Sequence, residues 1–328
     1  MPTFCRHNRF LERCPICSKT LPGASAGGRS SRGAAPQRPP AARAGARRRQ
    51  PRGEALRVHR EGRAADDGYR STLLPGLRSS VDASRLAEEI GFSCGRLIAL
   101  GEAPPGLYAD ARRLAREDLE RATWICFLIA YLSPLAGEDP FAGIRLALRA
   151  PRDERDDLEG IPLGPRTSHD PAHGDRTLRA YRKWVQQAGS QERGFVGDAA
   201  WSPQRRFERL FERLALPGLS RSARYELLVL LGRLGLYELR ADSLHFAAVR
   251  AVSSSDPVTD AAKRVFGIGD PLHLDRRGAA LAEAMSIPPE ALDLALANWG
   301  AGERATLGFA ADCCDSHALR RTRDTLGL

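Results

Sequence analysis

A chain of 328 residues, 42% of them hydrophobic, is long enough to bury a sizeable core and too apolar to be disordered throughout. Its formal net charge of +10 is unevenly placed: residues 1–65 hold 15 basic residues against three acidic ones, a net +12, which leaves −2 for the other 263. No apolar run of about twenty residues offers a membrane span, the N-terminus lacks the apolar stretch of a signal peptide, and seven cysteines with three in one cluster do not make a disulfide framework. The expectation is a cytoplasmic protein with no membrane partner.

The chain opens on "CRHNRFLERCPIC", in which Cys5, His7, Cys14 and Cys17 are spaced C-x-H-x6-C-x2-C. Zn2+ favours four sulfur and nitrogen ligands, and a C-x2-C pair turned by Pro15 lets two thiolates converge on one ion. A redox C-x-x-C is the competing reading, but it goes with a βαβ context that is missing here. Four protein ligands leave no open position, so residues 1–20 are expected to form a structural zinc knuckle whose fold depends on the metal.

Residues 21–65 are rich in Gly, Ala, Pro, Ser and Arg, with few side chains that could anchor a core. That composition predicts a disordered linker, and its arginines would bind phosphate backbones without sequence preference by releasing counterions. The chain has 47 arginines and only three lysines, so part of this run reflects a general bias toward Arg.

From Asp66 to the C-terminus the pattern is helical. Asp66 and Asp67 read as surface caps rather than an acid/base pair. "VDASRLAEEIGFSCGRLIAL" predicts a helix capped by Asp82, and "GLYADARRLAREDLERATWICFLIAYLSP" a long one that becomes wholly apolar by Trp124 and must cross the core. Further helices follow in "PFAGIRLALR", "RTLRAYRKWVQQAG", "SPQRRFERLFERLAL", "SARYELLVLLGRLG", "DAAKRVFGI", "RRGAALAEAM", "PPEALDLALANWG" and "GERATLGFAADCC". Ser202-Pro203 and the "PPE" at 288–290 mark starts. With no alternating β-branched run in sight, residues 66–328 are expected to form an all-α domain.

Two stretches carry more than packing. In "LALPGLSRSARYELLVLLGRLG" a helix ends, turns through Pro217-Gly218, and restarts at Ser220 or Ser222. A helix-hairpin-helix of this kind can offer backbone N–H groups to a DNA phosphate, and Arg221 and Arg224 lie on its second helix. An ordinary αα turn reads the same way. "GPRTSHDPAHGD" at 164–175 gathers Arg166, Ser168, His169 and Asp170, with Arg166 suited to a phosphate or pyrophosphate and His169 with Asp170 to acid/base work. Asp170-Pro171 is equally a helix cap followed by its first residue.

"ICFLIAYLSPLAGEDPFAGI" resembles the buried helix and turn that open the helix-hairpin-helix DNA glycosylase domain, and Asp242 in "RADSLHF" stands near where those enzymes carry the aspartate of their V-D-T-H segment. The hairpin departs from their L-P-G-V-G by having Ser220 at the second glycine. The lysine of the backbone-cutting members is missing among Arg221, Ser222 and Arg224, so Schiff-base lyase chemistry is not expected. Cys313 and Cys314 do not supply the four cysteines of an iron–sulfur cluster and read as buried or incidental.

Taken with "CRHNRFLERCPIC", "ADDGYRS", "GPRTSHDP", "FERLALPG", "LLVLLGRLGLYEL" and "AAKRVFGIGDP", the chain resembles the bacterial α-glutamyl/putrescinyl-thymine pyrophosphorylase family, clade 3, over residues 1–20 and about 66–312. That resemblance implies a relative of the DNA glycosylases that acts on thymine or hydroxymethyluracil in DNA and displaces pyrophosphate from the activated base with an amine, glutamate or putrescine. It implies Asp242, His169 and Asp170 as catalytic residues. Arg166, Ser168, Pro217, Gly218, Ser220, Arg221 and Arg224 would hold substrate or phosphate. A glycosylase that excises a modified base and a non-catalytic DNA-binding module are the alternatives.

Overall fold

The structure, a computed structural model, describes residues 64–149, 158–247 and 256–328. The expected zinc ligands Cys5, His7, Cys14 and Cys17, and the linker as far as residue 63, lie outside the described residues. Among the described residues there are helices and no strand, as the all-α reading expected.

The helices are α1 (Ser80–Glu102), α2 (Gly106–Leu114), α3 (Leu119–Leu132), α4 (Ala142–Arg149), α5 (Arg176–Ala188), α6 (Gln191–Val196), α7 (Pro203–Arg213), α8 (Arg221–Arg233), α9 (Pro257–Phe266), α10 (Pro271–Ala284), α11 (Glu290–Ala301) and α12 (Ser316–Leu326). Two groups share the core. In the first, α2, α4, α6 and α8 pack against α3; in the second, α1 lies on α11 and α12, and α9 joins α11 to α10. Helix α8 touches both α3 and α1 and so runs along the junction between the groups.

Sequence chemistry explains these placements. In α3 every residue from Ile125 to Leu132 is buried, because a helix apolar on all sides has no face to offer water. Burying each large side chain there contributes about 1.5–3 kcal/mol. In α7, Phe207, Leu210 and Phe211 form one inward stripe beside the buried Arg206, while Arg205, Glu208, Arg209 and Glu212 face outward. Helix α8 is capped by Ser220, whose hydroxyl accepts from Ala223 N–H.

Several expectations need correction. The single long helix expected from Gly106 breaks at 115–118, because Asp118 caps a new helix by accepting from Arg121 N–H at 2.9 Å. Ser79, not Asp82, caps α1; Asp82 lies in the first turn, and its carbonyl accepts from Trp299 Nε1. Pro289 takes the N-cap position of α11 with no side-chain cap. "GERATLGFAADCC" is not helical, since Gly302 closes α11 in the left-handed region and Leu307 and Gly308 follow with positive φ. Asp66 and Asp67 act as caps: Asp67 accepts from Ser80 N–H and Oγ–H, and those bonds hold its carboxyl below the usual range.

Candidate functional site

A helix leaves its last carbonyls unpaired, and the end of α3 finds its partners in the 164–170 loop. Gly164 N–H donates to Leu132 O at 3.0 Å, and Ser168 N–H and Thr167 Oγ–H donate to Tyr131 O at 2.8 and 3.2 Å. Gly164 is required there, since a Cβ would collide with the backbone oxygens of Ser133 and Pro134. Ser133 closes α3 at φ 60 and ψ 138, a conformation that costs a residue with a side chain about 1–3 kcal/mol, and its Oγ accepts from Arg166 N–H at 3.3 Å.

The same loop clasps the hairpin between α7 and α8. Ser168 Oγ accepts from Ser220 N–H at 2.8 Å and donates to Gly218 O at 2.8 Å. Gly218 has φ 79 and packs so closely on Thr177 of α5 that a side chain would not fit. Pro217 and Gly218 stay exposed. The structure thus joins Ser168, Pro217, Gly218 and Ser220 in one clasp, and the backbone donor a phosphate would seek at Ser220 is already engaged by Ser168.

His169 follows directly. Its ring is buried, its Nδ1 lies 2.8 Å from Tyr131 Oη, and burial pulls its pKa below the ordinary value against the opposing charge of Asp170. Asp170 is exposed and serves as the cap of a single 3-10 turn, accepting from Ala172 N–H at 2.9 Å and pairing with His173 Nδ1 at 2.6 Å. The local capping reading of Asp170-Pro171 describes its geometry.

Arg221 and Arg224 turn inward. Arg221 donates to Asp256 at 2.9 Å, to Leu244 O at 2.6 Å and to Asp293, while Arg224 donates to Phe211 O at 3.0 Å and covers the Phe211 ring. Burial beside the like charge of Arg221 brings the Arg224 guanidinium down to about 10. Both hold the base of the hairpin rather than its outer surface.

These contacts belong to a charged seam at the junction of the two helix groups. Asp293 of α11 accepts from Arg221 and, at 2.7 Å, from Arg166 Nη2. Asp256, the cap of α9, accepts from Arg221, Ser222 and Thr259. Burial raises its carboxyl, but Arg221 and the two hydroxyls outweigh burial and hold it below the usual range. Arg96 of α1 pairs with Glu226 of α8. Arg166 Nη1 is buried with no hydrogen-bond partner among the described residues. Arg166 lines a pit of about 10 Å³ together with Ser133, Ser222 and Glu226, with room for one water-sized group. His169 does not line the pit.

Asp242 stands elsewhere. Its side chain is 58% exposed, and Asp242 Oδ1 lies 3.7 Å from Nε2 of His245, which is buried between the Phe207 and Phe211 rings. Nothing brings Asp242 to the pit or to His169. Composition and spacing had not singled out Tyr131, Glu226, Asp256 or Asp293; each sits within an apolar helix or at a helix cap.

A larger groove of about 560 Å³ opens between α2, α3, α4 and α5, floored by Ile125, Leu128 and Leu178, with Trp124, Arg121 and Arg182 on its wall. Helix α5 links it to the hairpin, since Thr177 meets Gly218 and Leu178 lines the groove. Among the described residues no group of His, Cys, Asp and Glu is arranged to hold a metal, and no helix is long and apolar enough to cross a membrane.

Residues 167–306 match a family described as alpha-glutamyl/putrescinyl thymine pyrophosphorylase clade 3. The matched segment runs from the clasp loop through the hairpin, α9 and α11. No protein of curated function and no solved structure matches the chain.

Proposed function

We propose, from the match of residues 167–306 to the alpha-glutamyl/putrescinyl thymine pyrophosphorylase clade 3 family, that the chain is an enzyme that modifies a thymine-type base in DNA. In this reading an amine, glutamate or putrescine, attacks the exocyclic methylene of a pyrophosphorylated hydroxymethyluracil. A C–N bond forms, the C–O bond to pyrophosphate breaks, and the amine gives up a proton. The substrate would keep the enzyme with the nucleoid in the cytoplasm.

The observation that carries this reading is the Ser168 bridge. One loop holds Arg166, Ser168 and His169, and the bridge fixes it against the exposed Pro217-Gly218 hairpin, which we read as the contact to the DNA backbone. A base must leave the stack to be modified, and the pit at the seam, of about 10 Å³, is too small to receive one, so in this reading the seam opens when DNA binds. We assign to Arg166, with a buried N–H unspent, the departing phosphate oxygen. A carboxylate that assists an amine or a developing positive charge needs dry surroundings. Asp256 has them and Asp242 does not, so the role falls to Asp256.

Nucleoside mass spectrometry tests the proposal: DNA carrying pyrophosphorylated hydroxymethyluracil, incubated with the protein and glutamate or putrescine, yields a heavier nucleoside. Release of a free base instead would establish excision, the second reading. The feature in its favour is Asp256, a buried carboxylate kept charged by Arg221, Ser222 and Thr259. DNA binding with no product in any mixture would leave a binding module.

We also propose that Cys5, His7, Cys14 and Cys17 hold one structural Zn2+. Metal analysis of the purified protein should give about one equivalent, lost on changing Cys14 and Cys17 to Ser. Less than about half an equivalent would remove the claim. The +12 carried by residues 1–65 would add non-specific, salt-sensitive DNA affinity.

A further inference from the structure

We propose that Tyr131 is a positioning residue that fixes His169 as the neutral Nε2–H tautomer, so that His169 presents a hydrogen-bond donor, not a base, beside the hairpin. This rests on the proposed function only for the identity of what receives the bond.

The two side chains meet with little freedom. Tyr131 Oη and His169 Nδ1 are 2.8 Å apart, and both residues are buried. The Tyr131 ring is held by stacking on Phe127 at 5.6 Å, and Phe127 stacks in turn on Tyr181 at 3.8 Å. The backbone of His169 is fixed as well, because its N–H donates to Thr167 Oγ1 at 3.1 Å and the preceding residue makes the clasp.

The direction of the bond follows from acid–base chemistry. A phenol, with a pKa of about 10, is a much stronger donor than a neutral imidazole N–H, and an imidazole nitrogen, with a conjugate acid near 6.5, is a much stronger acceptor than a phenol oxygen. Tyr131 therefore donates to Nδ1, and the imidazole proton resides on Nε2. The groups that face the pair agree: the Thr177 hydroxyl of α5 lies near the phenol, the carboxylates near the ring are Asp170 and Asp175, and burial outweighs Asp170 to keep the imidazole neutral. His169 Nε2 makes no hydrogen bond among the described residues and, unlike Nε2 of His245, is not one of their buried atoms left without a partner.

The donor is carried by the residue that follows Ser168, on the loop whose Ser168 bonds Gly218 and Ser220. An oxygen acceptor of the bound ligand fits it, either a DNA phosphate or the departing pyrophosphate. A neutral imidazole polarises such an oxygen without leaving a buried charge when the site is empty.

Long-range proton–nitrogen NMR of the full chain, labelled with 15N-histidine and recorded at about pH 8, above the unperturbed histidine value, tests this. The wild-type spectrum alone decides the direction of the bond. We expect the Nε2–H form of His169 in excess of about ten to one, as one buried hydrogen bond supports. A dominant Nδ1–H form would overturn the inference. Tyr131→Phe should collapse the excess toward a mixture of tautomers; an unchanged excess in a folded variant would remove Tyr131 from the role. Titration with inorganic pyrophosphate and, separately, with a DNA duplex should shift the Nε2–H resonance in one arm, naming the acceptor. A duplex that binds, seen from shifts elsewhere, and pyrophosphate that binds, with the His169 N–H unmoved in both arms, would refute the donor role while leaving the proposed function intact. Failure of the duplex to bind at all would count against that function and leave the tautomer result standing.

Discussion

The segments at 164–170 and 240–247 each place a buried histidine near an exposed aspartate, yet they build opposite surroundings. His169 bonds Tyr131 through one nitrogen and leaves the other without a hydrogen bond among the described residues, on a loop fastened to the hairpin. His245, at φ 54, lies between Phe207 and Phe211 with its Nε2 sealed and unpartnered. A histidine and a carboxylate near each other in sequence thus say little about chemistry. The partner that a helix supplies from about forty residues away decides whether a ring nitrogen is prepared for a ligand or spent on packing.

Arg221 anchors both segments, holding Leu244 O on one side and, through Asp293, Arg166 on the other. Arg221→Met should therefore blur the comparison most. It leaves Asp256 and Asp293 as buried charges short of a partner, and we expect a loss of about 3–5 kcal/mol in urea unfolding. A loss under about 1 kcal/mol would show that the seam is hydrated and weak.

Ser168→Ala frees only the first segment. Two hydrogen bonds to the hairpin disappear and Ser220 N–H loses its partner, for an expected cost of about 1–2 kcal/mol. Hydrogen exchange should quicken at Ser220 while Ala247 N–H, which donates to Asp275 at 2.9 Å, keeps its protection.

The smallest effect separates the histidines by pH. Burial lowers both pKa values, so the unfolded chain, titrating near 6.5, takes up protons before the folded one, and stability is lost as pH falls through that value. Between about pH 7.5 and 5.5 the wild type should weaken, and His245→Phe should remove of order 1 kcal/mol of that loss. Equal slopes for variant and wild type would mean that His245 is protonated in the fold, paired with Asp242.

Much of the fold was legible because apolar periodicity and caps act locally. The stripe of α7, the apolar second half of α3 and the cap Ser202 could be read directly, and Ser220 was one of two candidates for the cap of α8. Helix α12, by contrast, buries only Ala318, Thr322 and Leu326, a stripe too small to stand out until α1 is there to receive it. Helix α6 is six residues long and lacks a repeat to read. For the site, the loop 164–170 and the hairpin were visible, but their clasp was not, since it joins residues about fifty apart. Asp293 and Glu226 did leave a signal: each is a carboxylate inside an apolar run, "EALDLALANW" and "RYELLVLL", and a charge in such a run must find a buried partner.

Base-modifying chemistry at the seam beside the clasped hairpin is most directly tested by the nucleoside assay run on two variants, Arg166→Lys and Asp242→Asn. Losing the planar guanidinium that spans Asp293 and the pit should lower formation of the heavier nucleoside by about ten- to a hundredfold, the worth of one charge-assisted hydrogen bond, and Asp242→Asn should cost far less. A greater loss at Asp242 than at Arg166, in variants that still bind DNA, would place the chemistry on the exposed segment and contradict the account.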